Sequence, residues 1–450
     1  MSPSMKPIAV VALLCGTVLT VHPFVSQGQP APAQNPVTQG PVGPPVAGQP
    51  NAAPKPPVVA DPDGQVVKSE KQTFKVEVVA RNIETPWAVA FLPDGRLLIT
   101  ERPGRLRIVE KGKVLPEPVK GTPKVWEKQD GGLFDVEVHP QYAKNGWIYL
   151  SYSETLPGYV PPATPPEPPP QAAPPQGGRG RGGPPDPPTM TVIIRGKINK
   201  NNEWTDEQVL FRAKPDVYSS TNAHYGSRFI FDKQNHLFYT LGEKNDPSKA
   251  QDLTSPLGKI HRVNDDGSVP KDNPFVGKDN DVPTIWSYGH RNPQGLAWDP
   301  VTGKLWESEH GPQGGDEINI IEPGHNYGWG VITMGTDRRV TEQTHEGMEQ
   351  PIVYYTPTIA PSGMVFYTGS RYPGWKNNLF VSALGGQQLR RLEISGDKVT
   401  HQEQVFNQFG RVHDVIIGPD GYLYVTLQVP GAVLSQSTPG MIARLVPVAQ

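Results

Sequence analysis

Apolar and polar residues alternate along this chain with a period of two, and Pro, Asp and Gly break the alternation at intervals. The pattern is plainest in AVAFLPDGRLLITE (88–101), DVEVHPQYAKNGWIYLSYS (135–153), RFIFDKQNHLFYTLGE (228–243), GLAWDPVTGKLWESEHG (295–311), GMVFYTGSRYPGWKNNLFVSAL (363–384) and DVIIGPDGYLYVTL (414–427). Each of these six copies reads as two strands joined by a turn, because period-two alternation sends side chains to opposite faces and pairs such as Asp94-Gly95 and Asp420-Gly421 suit a tight reversal. RLRIVE (105–110), TMTVIIRGKI (189–198), GKIHRV (258–263) and LRRLEI (389–394) add further strands, so a unit holds four. Long helical periodicity is absent.

A four-stranded unit cannot cover both of its faces alone, and recurrence at this spacing predicts an all-β fold, a six-bladed β-propeller of four-stranded antiparallel blades. FKVEVVA (74–80) is placed to pair beside MIARLV (441–446) and close the ring. A sandwich or a pair of β domains also satisfies the alternation. One ring over 67–450 is favoured because no interior linker interrupts the repeats apart from one insert.

Composition adds the punctuation. The apolar run 8–20, preceded by Lys6 and followed by Ala31-Pro32-Ala33, has the form of a signal peptide over 1–33, which implies a periplasmic or secreted protein. The single cysteine, Cys15, falls inside that run behind Leu13-Leu14, without the small residues that a lipoprotein signal places there. A mature chain without cysteine has neither disulfides nor cysteine-ligated zinc. Residues 34–66 read as a Pro-rich disordered tether, and 157–188 as a disordered Pro/Gly-rich insert, since neither offers enough apolar surface to offset its ordering entropy. No later stretch approaches the ~18 apolar residues that span a bilayer. Lys and Arg total 42 against 44 Asp and Glu, a balance that argues against nucleic acid as a partner.

In a propeller, chemistry belongs to polar residues just outside the apolar strands. NAHYGSRFIF puts His224 before a strand, where an imidazole can serve as a general base or simply pack. IWSYGHRNPQGLAWDP offers Arg291 and Asn292 side by side, a pair suited to an anionic or carbonyl oxygen and equally to capping a turn. EHGPQGGDEINIIEPGHNYGWG (309–330) is a glycine-rich loop followed by Asp316 and Glu317; its oxygen donors suit calcium, although the spacing is not that of an EF-hand. TPTIAPSGMVFY (356–367) contributes Thr358 and Ser362.

Together with GGLFDVEVHP (131–140) and AQDLTSPLGKIHRVNDDGSVPKDNPF (250–275), these segments resemble the soluble quinoprotein glucose and sorbosone dehydrogenase family, particularly its bacterial aldose sugar dehydrogenase branch. The resemblance runs from about Thr85 to Leu445. It implies a propeller that binds pyrroloquinoline quinone and calcium, oxidises the anomeric hydroxyl of an aldose to a lactone, and passes electrons to an external acceptor as a monomer or homodimer. By motif, His224 resembles the base, with Arg291 as its catalytic companion. Asp130, Arg291, Asn292, Thr358 and Arg411 fall at cofactor-contact positions. Gly311 and Pro312 resemble the carbonyl ligands of the cofactor's calcium, and Glu317 and Tyr327 resemble ligands of a second, structural calcium.

Four positions depart from the family pattern. Asp130 stands where a Gln is usual, Ala223 where an Asn or Asp precedes the His, Gly385 near the place of a Lys, and His413 in place of a second Arg. A tri-anionic cofactor then loses cations, with Arg390 and Arg391 as candidate substitutes. The competing readings are a propeller that keeps the fold as a non-catalytic binding module for carbohydrate or protein, and a calcium-dependent hydrolase, which lacks a nucleophile.

Overall fold

Six separate sheets account for the strands of the computed structural model, which describes residues 46–48, 57–161, 185–431 and 437–448. The expected signal peptide and most of the 157–188 insert lie outside the described residues. In chain order the innermost strands are Pro86–Phe91, Leu133–Val138, Phe229–Phe231, Pro293–Trp298, Pro361–Phe366 and Arg411–Ile417. Each packs on its successor, and the last returns to the first, so the sheets are the blades of a closed six-bladed propeller. The only α-helices among the described residues are Tyr142–Asn145 and Pro247–Gln251, and none is long and apolar enough to cross a membrane.

Closure follows the expected pairing. Thr73–Glu84, from the start of the ring, runs antiparallel to Pro439–Pro447 and completes the sixth blade, with Val66–Lys68 outside it as a fifth strand. The fourth blade also has a fifth strand, Val46–Ala47, which joins Val353–Tyr354 in parallel from within the Pro-rich 34–66 segment.

The core lies between blades rather than in one central mass. Among the described residues, one cluster joins blades one and two through Trp87, Phe134 and Leu150, and another joins blades five and six through Trp375, Phe380 and Val425. Comparable clusters fill the other junctions. Full burial of one such side chain contributes about 1.5–3 kcal/mol, so every blade is stabilised chiefly by its neighbours.

On the axis, Arg228 donates to Asp135 at 3.2 Å, to Asp414 at 3.3 Å and to the Gln294 carbonyl at 2.8 Å, with its guanidinium 4.4 Å from the Trp87 ring centroid. Five blades meet at this buried cation. In five of the six blades the innermost strand also carries a register shift near its start. Such bulges turn side chains away from the regular pleat. They lie where the loops at one end of the channel begin.

Candidate active site

His224, Arg291, Asn292, Thr358 and Arg411 all sit immediately before, or at the start of, an innermost strand, so the propeller brings them to one end of its channel. Asp130 precedes the second blade in the same way.

His224 has φ of 55°, and Gly226 and Ser227 are also left-handed, at 65° and 89°. A non-glycine residue adopts this conformation only where its surroundings hold it. Here they do: the His224 amide donates to Asp130 Oδ2 at 3.1 Å, and the Gly226 amide to Asn292 Oδ1 at 3.1 Å. Nδ1 of His224 lies 2.6 Å from Oε2 of Glu243, whose other carboxylate oxygen is buried with no hydrogen-bond partner among the described residues. A carboxylate at Nδ1 selects the tautomer that leaves Nε2 with a free lone pair, the arrangement of an oriented general base. Glu243 escaped the sequence reading because it lies at the end of an apolar strand, in LGEK, with nothing local to tie it to His224. Two glycines permit the approach: a Cβ on Gly242 would fall 2.3 Å from the His224 carbonyl, and one on Gly226 would fall 2.8 Å from the Gly242 nitrogen.

Arg291 is held by its neighbours. Its amide donates to Glu309 Oε2 at 2.5 Å, Nη1 donates to the His310 carbonyl at 3.0 Å, and its guanidinium lies 5.2 Å from the Trp329 ring centroid. Nε is buried without a partner among the described residues, a donor available to a bound oxygen. Asn292 Oδ1 accepts from both Gly226 and Gln294, so the amide orientation is fixed, with Nδ2 3.4 Å from His310 Nδ1. The His310 Nε2 faces the Pro361 carbonyl at 2.8 Å, which assigns it the proton and leaves Nδ1 as acceptor.

The glycine-rich loop is tied down by Asp316. One carboxylate oxygen accepts from the Gly311 amide at 2.9 Å; the other accepts from Thr358 Oγ1 at 2.6 Å and from the amides of Ile359 and Ala360 at 2.6 and 2.7 Å. The Thr358 hydroxyl hydrogen is therefore spent within the protein. Gly311 is required by crowding, since a Cβ there would lie 2.3 Å from the carbonyls of Gly314 and Gly315.

Behind this loop is an acidic centre that local sequence only half revealed. Glu309 and Glu317 are cross-strand neighbours, as are Glu307 and Asn319. His290, Glu307 and Glu309 each present a ligand atom within 4.8 Å of the others. Burial, reinforced by the charge of Glu309, pushes the Glu307 and Glu317 carboxyls well above the usual carboxylate range. Glu307 Oε1 is buried and unpartnered among the described residues. So many carboxylates with so little hydrogen bonding fit a bound cation, and their oxygen chemistry suits calcium. Tyr327 is present, but its hydroxyl donates to the Ile320 carbonyl and accepts from the Glu322 amide, so any ligand from this residue is not that hydroxyl. Its ring stacks on His290 at 4.8 Å. Arg291, Glu309, Gly311, Glu317 and Trp329 line one cleft, which joins the two centres.

Of the two arginines suggested as substitutes for the missing cations, one is already committed. Arg391 is wholly buried and committed to Glu403 at 2.8 Å, Glu393 at 2.7 Å and Glu70 at 3.2 Å, and Arg390 lies 5.1 Å from the Tyr355 ring centroid. His413 is held neutral by burial and by Arg411. Arg411 has a buried Nε without a partner among the described residues, and the neighbouring Arg102, from the first blade, adds a positive charge that sequence spacing did not reveal.

The model of the family described as Glucose / Sorbosone dehydrogenase matches residues 83–435. The chain is 39% identical over 376 residues to aldose sugar dehydrogenase YliI of Escherichia coli (strain K12), covering 82% of this chain and 93% of that protein. It is 28% identical over 453 residues to quinoprotein glucose dehydrogenase B of Acinetobacter calcoaceticus, covering 82% and 88%. The crystal structure of the apo-form of the soluble aldose sugar dehydrogenase from Escherichia coli matches with a TM-score of 0.71 at 36% identity, covering 83% of this chain and all of that one.

Proposed function

Because this chain belongs to the glucose/sorbosone dehydrogenase family, we propose that it is a sugar dehydrogenase that oxidises the anomeric hydroxyl of an aldose to a lactone, with pyrroloquinoline quinone and calcium as cofactors. The observation that carries the reading is the 2.6 Å contact between His224 and Glu243 beside Arg291 at the channel end. Quinoprotein glucose dehydrogenase B supports the choice of cofactor, as do the unpartnered Nε atoms of Arg291 and Arg411.

His224 Nε2 takes the hydroxyl proton while Glu243 stabilises the imidazolium that forms, which lowers the barrier where positive charge develops. The bound quinone supplies a two-electron acceptor for the hydride from the anomeric carbon. Arg291 and the remaining N–H of Asn292 would hold the quinone oxygens, and the carbonyls of Gly311 and Pro312 would hold calcium. Arg411 would supply a cation for a cofactor carboxylate. Asp130 acts one step back, on the His224 backbone. Glu317, with Glu307 and Glu309, holds the second calcium. The N-terminal 1–33 segment directs export, and an external acceptor reoxidises the enzyme.

The test is reconstitution of purified protein with quinone and calcium, followed by dye reduction with a panel of aldoses. Turnover that is lost in His224→Ala, with folding retained, is the expected result. Absence of both turnover and a quinone absorbance change at saturating cofactor would leave the binding-module reading, which the neutral His413 and Gly385 favour.

A further inference from the structure

Lys244 follows Glu243 directly, and its side chain is almost completely buried, at 3% exposure. Lys244 and Asn245 both have positive φ, 55° and 62°, a turn that folds the lysine back toward the preceding loop. Its Nζ donates to the Thr221 carbonyl at 2.6 Å and lies 3.3 Å from the centroid of the Tyr225 ring. Thr221 and Tyr225 flank His224 on either side. Two neighbouring residues thus reach across to one loop, Glu243 to the imidazole and Lys244 to the backbone and ring around it.

We propose that Lys244 is a positioning residue that clamps the 221–226 loop, in which His224 is left-handed, against the strand end carrying Glu243, fixing the His224–Glu243 geometry; this rests on His224 being the base. A conformation as unfavourable as that of His224 relaxes unless it is held, and a charge-assisted hydrogen bond together with a cation–π contact is a strong local restraint. Burial lowers the Lys244 ammonium to about 7, while Asp130 and Glu243 favour its charged form. Asp130, Glu243 and Tyr225 are titratable groups facing it. Opening the clamp returns the lysine to its ordinary value, so between about 7 and 10.5 the open loop binds more protons than the closed one, and the clamp tightens as pH rises through this range.

Hydrogen exchange on the full-length protein without quinone, read by mass spectrometry, tests the clamp independently of activity. Lys244→Met is expected to speed exchange in 219–226 by about tenfold, with the sixth blade unchanged and Lys244→Arg restoring protection. Wild-type protection of this segment, corrected for intrinsic rates, should rise between pH 6 and pH 9, a readout that needs no variant to fold. In the reconstituted enzyme, Lys244→Met should lower kcat by about tenfold with KM within about twofold. Unchanged exchange in Lys244→Met, or protection independent of pH, overturns the clamp. If exchange responds as expected but the wild type oxidises no aldose, the clamp stands and the dehydrogenase reading falls.

Discussion

Nδ1 of His224 and Oε2 of Glu243 lie 2.6 Å apart although 19 residues separate them, and the Glu243 carboxylate has no exposure to solvent. Nothing else among the described residues bonds to that carboxylate's second oxygen. The carboxylate is thus dedicated to the imidazole. In Glu243→Gln the neutral amide no longer stabilises the imidazolium and no longer enforces the tautomer. We expect kcat to fall about a hundredfold or more, with KM for the aldose little changed, in steady-state assays of the reconstituted enzyme.

Gly242 controls the same contact from the backbone. A methyl group there would meet the His224 carbonyl at 2.3 Å and Asn292 Oδ1 at 3.0 Å, and the His224 carbonyl cannot move without its loop. Gly242→Ala should cost about 1–3 kcal/mol, as overpacking of a tight site does. Urea denaturation measures that loss, and the drop in kcat should exceed what the unfolded fraction explains.

The acidic centre around Glu307, Glu309 and Glu317 should respond to metal. A cation that binds only the folded state stabilises it by mass action, and calcium far above its Kd should raise the melting temperature of chelator-treated protein by about 4 °C. Protons should be released on binding, because burial and the charge of Glu309 raise the Glu307 and Glu317 carboxyls and a bound cation would lower them. Glu307→Gln should abolish much of both effects in calorimetric titration.

Lys259 gives a pH dependence of known sign. Its ammonium is wholly buried and donates to the carbonyls of Lys249, Ala250 and Leu257 at 2.8, 3.0 and 2.7 Å, and burial lowers it to about 7. The unfolded chain keeps this proton up to about 10.5, so between those values the unfolded state binds more protons and stability rises with pH. Below neutral pH the full cost of the buried charge is present. Lys259→Met should be less stable throughout, since three carbonyls lose a donor, but its melting temperature should rise less between pH 7 and 10 than that of the wild type.

The alternation of apolar residues with Asp-Gly and Pro-Asp turns was enough to read the six hairpins and their repetition, because each is a local pattern or its direct repetition, and the expected pairing of 74–80 beside 441–446 is the one found. Candidate residues next to strand starts, such as His224 and Arg291, were legible for the same reason. What only the tertiary structure decided is which of them meet, and what else meets them. Glu243 closes on His224 and Lys244 reaches Thr221 because adjacent strand ends in one blade bring distant residues together. Glu309 and Glu317 face each other through cross-strand register, and Asp316 gathers Gly311, Thr358 and Ala360 from two blades. Arg391 was a plausible cation in the sequence and proved to be consumed by Glu403, Glu393 and Glu70. Periodicity specifies which face of a strand is apolar. The partner of a charge depends on the loops of neighbouring blades, and those converge only when the ring closes.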